Sequence, residues 1–265
     1  LVPAIMEIPE DTLQAYAEED SFKEFKFDLI NLNKKRPYIL SDKEEQLLAE
    51  AGEVMHTPSQ VYGMFNNADI TFEAAVDKDG KTHELTQGNF IELLKSEDRV
   101  LRESAYKNLY SSYDKFKNTL SQTLAGEVNT HVFSASARGY DSSRHQALSN
   151  NHIPEKVYDT LVKTGNDNLH LLHRYTEIRK KVLELDSLKM YDMYVPLVDD
   201  VDFNMTYDNA KEWLVKALQP LGEEYISIIQ EGLDNRWVDV YQNKGKRSGA
   251  YSSGTYGTNP YILMN

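Results

Sequence analysis

The sequence predicts a mainly α-helical fold, a multi-helical array that carries a small β-hairpin near residues 70–85 and a second β-hairpin at the C-terminus. Apolar residues recur every three or four positions over most of the chain, which is typical of helices that bury one face. The period falls to two near residues 70–85, and short apolar runs flank a loop of serine, glycine and threonine near the end. A length of 265 residues with 40% hydrophobic content is enough for one large or two modest domains.

Three helices are predicted to open the chain. The first is closed by Pro37, and its apolar face consists of Phe22, Phe25, Leu29 and Leu32. The second begins at Ser41, because Glu44 three residues later completes the pattern of a capping box. The third begins at Thr57-Pro58, which has the pattern of an N-cap followed by a first-turn proline.

The rest of the chain alternates between one short β segment and further helices. Apolar alternation from Ile70 to Val76, followed by the turn pair Asp79-Gly80, predicts the first hairpin. One long helical stripe is then predicted over Leu101, Ala105, Leu109, Tyr113, Phe116, Leu120 and Leu124. Later helices are predicted after Pro154 and around Trp213 and Tyr225, with an extended connection over residues 191–203.

Composition limits both the chemistry and the compartment. The chain has no cysteine, which excludes disulfides, thiolate zinc sites and a cysteine nucleophile, and suits a reducing cytoplasm. A formal charge of −13 disfavours nucleic acid, because binding of a phosphate backbone depends on lysine and arginine. No apolar run approaches the roughly 20 residues of a membrane-spanning helix. We therefore expect a cytoplasmic protein with no nucleic-acid and no membrane partner.

Two segments, one with a single histidine and one with a histidine pair, have part of the pattern of a metal site. His83-Glu84 starts an H-E-x-x-H pattern, but Gln87 stands where the second imidazole belongs. His170 and His173 have a spacing that can share a metal, yet two such histidines are common by chance, so boundary residues of an apolar stripe are the favoured interpretation. The residues themselves therefore predict no metal ligand in this chain.

The C-terminal region lacks the motifs of a serine hydrolase and of a phosphate-binding loop. Ser248-Gly249 lacks the preceding Gly-x of a nucleophile elbow, and the loop that follows lacks the lysine and serine of a phosphate-binding loop. Lys244, Lys246 and Arg247 form a basic cluster. This cluster is either a solvated hairpin edge or a group that orients a peptide carboxylate or carbonyl.

The most informative segment is the C-terminal strand pair. Gly249 and Ala250 leave the backbone of one strand with little side-chain cover, so another extended chain can approach and pair with it. From the residues alone, two interpretations stay open. The segment over residues 248–251 is one half of an ordinary hairpin, or its N–H and C=O groups pair with an extended peptide.

A series of short motifs occurs in order along most of the chain. The series runs through Asn67-Ala68-Asp69-Ile70-Thr71-Phe72, Arg138-Gly139-Tyr140, Tyr191-Asp192 with Pro196-Leu197, Pro220-Leu221-Gly222-Glu223-Glu224-Tyr225, Trp237-Val238-Asp239-Val240, Gly245-Lys246-Arg247-Ser248-Gly249-Ala250-Tyr251 and Pro260-Tyr261-Ile262-Leu263-Met264-Asn265. No single motif is specific, but the ordered series resembles the oligoendopeptidase F family of zinc-dependent peptidases.

The resemblance implies a parent enzyme that hydrolyses short peptides internally with zinc as its cofactor. In that family an H-E-x-x-H zinc helix follows shortly after the last motifs, so we expect this chain to be an internal fragment that ends before the metal site. The implied organisation is an N-terminal helical segment over residues 1–70, a hairpin over residues 71–87, and the helical start of the catalytic domain over residues 88–265.

The resemblance also implies what this chain contributes. It favours a substrate-binding role for Ser248, Gly249, Ala250 and Tyr251, with an oligopeptide and the remaining domains of the parent peptidase as partners. Because the zinc ligands and the catalytic glutamate of the family are expected after Asn265, the resemblance predicts no catalytic residue in this chain. The chain alone is therefore predicted to bind no zinc and to be inactive. The alternative is a helical peptide-binding module or a scaffold with no catalytic activity.

Overall fold

The structure is a computed structural model that describes residues 2–198, 205–241, 246, 249–255 and 257–264. Its helices are α1 (Val2–Met6), α2 (Glu10–Glu18), α3 (Lys26–Lys35), α4 (Asp42–Met55), α5 (Thr57–Met64), α6 (Phe90–Lys95), α7 (Arg99–Asp114), α8 (Lys117–Ala137), α9 (Ser143–Ser149), α10 (Glu155–Asp167), α11 (Leu169–Val182), α12 (Tyr207–Leu218) and α13 (Glu223–Asp234). Short 3₁₀ turns and one π-helical turn, Phe65–Asp69, lie between them.

Two small sheets accompany the helices in the described residues. β1 (Ala75–Val76) and β2 (Thr82–His83) form an antiparallel pair. β3 (Val238–Asp239), β4 (Tyr251–Ser253) and β5 (Tyr261–Leu263) form a second sheet in the order β3-β5-β4. The predicted mainly α fold with two hairpins is confirmed, and β3 adds a parallel partner that the sequence does not predict.

The chain divides into two compact units, each made of two stretches. The first unit comprises Leu1–Met64 and Lys117–His170, and the second comprises Phe65–Phe116 and Leu171–Asn265. A division by compactness does not test the predicted domain boundaries at residues 70 and 87, which stay a prediction.

The first unit begins with α2 packed on α3. Leu13 and Ala17 lie one helical turn apart on α2 and are each 1% exposed. Arg36 donates from Nη1 to the carbonyl oxygen of Met6 at 2.7 Å and from Nη2 to that of Ile8 at 2.9 Å. Since the last carbonyls of a helix lack partners within it, Arg36 satisfies the end of α1.

A capping box begins α4, and a glycine allows α5 and α8 to pack closely. The Ser41 N–H donates to Oε2 of Glu44 at 3.0 Å, which confirms the predicted start of α4. α5 approaches α8 so closely that a Cβ atom at Gly126 would lie 2.8 Å from Cγ of Pro58. Glycine therefore permits this helix contact.

The core of the second unit joins its first hairpin to α7. Its buried residues are Ala75, Leu85, Leu101, Ala105 and Leu109, and the partly buried rings of Phe72, Phe90 and Tyr113 pack against them. Three of the five buried residues lie on α7 at intervals of four, which confirms the first half of the predicted stripe. Burial of these side chains is the main stabilisation of this part of the fold.

The second half of the predicted stripe departs from the structure. α7 ends at Asp114 and α8 begins at Lys117, and Leu124 is 67% exposed. The prediction of one continuous stripe is therefore wrong at residues 115–116, where the chain passes from the second unit to the first. A periodic pattern continues across such a break because each helix has an apolar face of its own.

Three other local predictions also differ from the structure. Helix α2 is not predicted, because only Leu13 and Ala17 of it are buried and the apolar pattern is too short to stand out. The predicted first helix is split into a 3₁₀ turn, Asp20–Phe25, followed by α3. The predicted extended connection begins instead with a 3₁₀ turn, Met190–Asp192, and residues 199–204 of it lie outside the described residues.

None of the helices in the described part of the chain combines the length and apolar character that a membrane crossing needs.

Candidate functional site

The candidate site is β4, which lies at one edge of the C-terminal sheet. β5 occupies the centre, pairing in parallel with β3 and antiparallel with β4. Tyr251, Ser252 and Ser253 of β4 stand opposite Leu263, Ile262 and Tyr261, respectively. No other strand in the described ranges pairs with the far side of β4. An edge of this kind presents backbone donors and acceptors to a further extended chain.

The hydrogen bonds of β5 determine which residue of β4 faces that open edge. The N–H of Ile262 donates to the carbonyl of Trp237 at 2.7 Å, and the N–H of Met264 donates to that of Asp239 at 2.9 Å. Backbone groups alternate in direction along a strand, so the intervening Leu263 directs its N–H and C=O toward β4.

The antiparallel register then orients β4 itself. Tyr251 and Ser253 stand opposite residues whose backbone groups point at β4, so their own N–H and C=O groups point back at β5. Ser252 lies between them, and its backbone groups point away from β5 to the open edge. Two residues earlier, Ala250 takes the orientation of Ser252 where the backbone stays extended.

One face of the sheet forms an open groove beside this edge. The groove is lined by the side chains of Tyr251, Ser253, Tyr261, Leu263, Trp237 and Asp239, among others. Tyr251 is 56% exposed and Tyr261 is 66% exposed, so both rings offer apolar surface next to the strand. A peptide paired with β4 would therefore find aromatic surface for side chains on one face.

The rest of the second unit holds this sheet in place through Trp237. A Cβ atom at Gly232, near the end of α13, would lie 2.7 Å from Cε3 of Trp237, so the ring packs directly over the glycine. The Trp237 N–H donates to the carbonyl of Gly232 at 3.3 Å. α13 thereby positions β3, β3 positions β5, and β5 positions the edge strand.

Lys246 has a structural role at the end of β3. Its side chain is 3% exposed, and its ammonium group donates to the carbonyls of Asp239 at 3.0 Å and Tyr241 at 2.9 Å. It also lies 3.2 Å from Oδ1 of Asp239. The structure thus favours an internal anchoring role for this member of the predicted basic cluster, while Lys244 and Arg247 lie outside the described residues.

The predicted binding residues lie at the start of β4. Ser248 lies outside the described residues, Gly249 and Ala250 are exposed and directly precede the strand, and Tyr251 is its first residue. Gly249 has a φ of 95°, a conformation that suits glycine, and open space surrounds the position of a Cβ atom. The positive φ of Gly249 turns the chain into β4, which explains why glycine stands at this position. No side chain of the described residues lies over it.

His83 and Gln87, the two ends of the incomplete H-E-x-x-H pattern, make hydrogen bonds within the protein. His83 Nε2 lies 2.8 Å from Oδ2 of Asp77, and this hydrogen bond holds the pKa of Asp77 below its ordinary value. The side chain of Gln87 donates to the carbonyl of Asn66 at 2.9 Å. This bond connects the loop after β2 to the π-helical turn.

His170 and His173 are both exposed on α11. Among the described residues, no three or more histidine, aspartate or glutamate side chains converge on a possible metal position. The residues at hand therefore do not fit a zinc site.

The outward direction of the Ser252 backbone groups could not be predicted from the sequence. The sequence of one strand does not show which of its N–H groups are left without a strand partner. That depends on which residues of the strand pair with its neighbour in the sheet. The signal that assigns Ser252 is the parallel pairing of β3 with β5, which joins residues far apart in the chain.

Comparison with known proteins agrees with the ordered motifs. The model of peptidase family M3 matches residues 92–265, and a model described as Oligopeptidase F matches residues 5–72. Over its whole length the chain is 54% identical to oligopeptidase PepF of Bacillus subtilis and covers 40% of it. Over 99% of its length it is 43% identical to group B oligopeptidase PepB of Streptococcus agalactiae and covers 44% of it.

A solved structure extends the likeness to the fold. The crystal structure of oligoendopeptidase-F from Enterococcus faecium matches 88% of the chain with a TM-score of 0.72 and 40% identity, and the chain covers 44% of it. The chain thus spans less than half the length of these relatives. Because the M3 model covers most of the residues, the predicted resemblance is confirmed, and the chain belongs to peptidase family M3.

Proposed function

We propose that the complete protein is a zinc-dependent oligoendopeptidase that hydrolyses short peptides at internal bonds. The observation that carries this proposal is the ordered match of the oligopeptidase F and M3 models along one chain. The names of its relatives, oligopeptidase PepF and oligoendopeptidase-F, support the same substrate class. A cytoplasmic location stays a prediction from the cysteine-free composition.

Within that enzyme, this chain contributes the helical wall of the groove and the strand that pairs with the substrate. The chain spans 40% of the length of its Bacillus relative, so the remaining domains of the parent are its partners in this proposal. The described residues hold no cluster that could bind zinc, and we place the zinc ligands in another part of the parent. On this proposal the chain alone does not hydrolyse peptides.

The substrate-binding segment comprises Ser248, Gly249, Ala250 and Tyr251, extended by Ser252. In this arrangement the outward backbone groups of Ala250 and Ser252 pair with every second residue of an extended peptide. Each backbone hydrogen bond is worth about 0.5–1.5 kcal/mol net, and it also fixes the direction of the peptide. Such pairing places one peptide bond at a fixed position along the strand, which is what a positioned cleavage requires.

A pair of substitutions at Ser252 tests the pairing in the complete protein. Ser252→Pro removes the outward N–H but no bond to β5, since proline is tolerated where an edge strand's N–H faces solvent. We expect kcat/KM for an oligopeptide to fall about tenfold, because one hydrogen bond and its alignment are lost. Ser252→Ala keeps the N–H and is expected to stay within about twofold. Equal activity of both variants and the wild type would remove β4 from the site.

A second experiment tests the division of labour between the fragment and the parent. Purified residues 1–265 and the complete protein are compared for hydrolysis of the same oligopeptide, with and without a chelator. We expect chelator-sensitive turnover from the complete protein and none from the fragment. Turnover by the fragment would refute the proposed division, and a complete protein that binds peptides without cleaving them would favour the peptide-binding module.

A further inference from the structure

A second cleft lies in the first unit and has a different chemical character. It forms where the end of α3 meets α9 and the loop leading to α10, and the lining residues that matter are Lys34, Lys35, Tyr38, Tyr140, His145 and His152. Two lysines, two histidines and two tyrosines thus surround one open space. The proposed peptidase function does not use this group.

The aromatic wall of the cleft is held in place from several sides. The rings of Tyr38 and Tyr140 are stacked, with centroids 3.7 Å apart and an angle of 11° between the ring planes. The ring of His145 stands at 87° to Tyr38 and 89° to Tyr140. Arg138 donates to the carbonyl of Tyr38 at 3.3 Å and forms a two-pronged ion pair with Glu45. The wall is therefore held by contacts within the protein.

The acidic group of the cleft is already neutralised. Glu155 also lines the cleft, but its Oε1 accepts from Nε of Arg144 at 2.8 Å. Asp141 lies beside His145, with Oδ2 3.3 Å from Nδ1, yet its side chain is 90% exposed and screened by water. The carboxylates near the cleft thus oppose an anion only weakly.

The two lysines of the cleft, in contrast, have no acidic partner among the described residues. The side chains of Lys34 and Lys35 form no ion pair or hydrogen bond with any residue of the described ranges. Nδ1 of His145 is buried, and no described group meets the geometry of a hydrogen bond to it. His152, whose φ is 55°, directs Nε2 to Oδ1 of Asn31 at 2.6 Å. The cleft therefore carries unpaired positive charge within a chain whose net charge is −13.

We propose that this cleft binds a small oxyanion, a phosphate or carboxylate group that the ammonium groups of Lys34 and Lys35 hold beside the stacked Tyr38 and Tyr140. Ammonium groups form short, charge-assisted hydrogen bonds with such oxygens. The tyrosine pair supplies a flat apolar surface for the body of a ligand that carries the anion. The acidic surface elsewhere repels anions, so anion binding to this protein requires a local site of this kind.

The test uses inorganic phosphate as the probe and the 265-residue chain as the protein. Calorimetry at low ionic strength is expected to show saturable binding above a sodium chloride control of equal ionic strength. In parallel, two-dimensional NMR of the histidine rings is expected to show a shift for His145 that saturates over the same concentration range. Absence of saturable heat, or a His145 signal that does not move, would overturn the proposal.

Three variants connect the binding to the cleft. Lys34→Met and Lys35→Met are each expected to weaken phosphate binding about three- to fivefold, and the double variant about tenfold. Lys43→Met removes the same charge from an exposed position of α4 outside the cleft and is expected to leave the affinity unchanged. Equal weakening by Lys43→Met would show a general charge effect and refute the site.

Acetate separates the two sources of the oxyanion. Saturable binding of phosphate that acetate does not displace indicates a phosphate-bearing ligand, and displacement at similar concentrations indicates a carboxylate. In both cases the Lys34 and Lys35 variants must weaken the binding, and circular dichroism of each variant must match the wild type.

Discussion

Arg102 and Asp192 form an ion pair inside the second unit, with Nη2 of the arginine 2.9 Å from Oδ1 of the aspartate. Their side chains are 4% and 0% exposed. The other carboxylate oxygen accepts from Nη2 of Arg99 at 3.0 Å and from the N–H of Lys189 at 2.9 Å. Arg179, on α11, donates to the backbone carbonyl of Asp192 at 2.9 Å. One buried carboxylate thus joins the segment around residue 192 to α7.

Replacing Asp192 by asparagine should strongly destabilise the second unit. Asp192→Asn keeps the shape of the side chain but leaves Arg102 as a buried charge without a carboxylate partner. Removing one member of a buried pair costs about 3–5 kcal/mol of unfolding free energy. Trp213 and Trp237 both lie in this unit, so a urea titration followed by tryptophan fluorescence measures the loss.

The matched control is Asp186→Asn in the same segment. Asp186 is exposed and forms no ion pair with a residue of the described ranges, so its loss should change the unfolding free energy by less than about 0.5 kcal/mol. If both variants unfold at the same urea concentration as the wild type, Asp192 does not hold the segment to α7.

Acid should weaken the second unit through the same carboxylate. Burial alone would raise the pKa of Asp192, but the hydrogen bonds from Arg99 and Arg102 outweigh burial and hold it below its ordinary value. A depressed pKa stabilises the fold at every pH above the unfolded value of about 3.9, and this contribution disappears as the pH falls through the folded value. Urea midpoints measured between pH 7 and pH 3 should therefore fall more steeply below pH 4 in the wild type than in Asp192→Asn. Parallel curves would contradict this assignment.

Local patterns predict the features that depend on neighbours in sequence. The capping pair Ser41 and Glu44 and the buried stripe from Leu101 to Leu109 follow directly from spacing. The pairing of Arg102 with Asp192 spans 90 positions, and no periodicity marks it. Tertiary partners of this kind depend on how helices and loops meet, which spacing along one segment does not encode.

The same limit applies to the candidate site. Small residues at Gly249 and Ala250 predict a strand that another chain can approach, and the structure places them beside an exposed edge strand. The outward direction of Ser252 follows only from the hydrogen bonds of β5 with its parallel partner. Sequence predicts that there is a strand, whereas the sheet determines which of its backbone groups are available.

The close approach of α5 and α8 predicts an unusual cost for a small substitution. Gly126→Ala would place its Cβ atom 2.8 Å from Cγ of Pro58, so the helices must separate. We expect a loss of about 1–3 kcal/mol in the unfolding free energy of the first unit, measured by circular dichroism in urea. Gly165→Ala in α10 meets no atom within 4 Å and should gain about 0.5–1 kcal/mol from helix propensity. A stabilising effect at both positions would show that the two helices are not in close contact.

The buried ammonium group of Lys246 connects the stability of the sheet to the proposed function. Lys246→Met removes the donor that serves the carbonyls of Asp239 and Tyr241, so two acceptors at the end of β3 lose their partner. Hydrogen bonds to a charged group are worth about 1.5–3 kcal/mol, and the urea midpoint of tryptophan fluorescence reports their loss because Trp237 precedes this strand. Since β3 holds β5 and β5 holds β4, the complete protein carrying this variant should also show a raised KM for an oligopeptide. Lys216→Met, at an exposed position of α12, removes the same charge and should change neither quantity. A raised KM without loss of stability would instead mean that the ammonium group acts on the peptide directly.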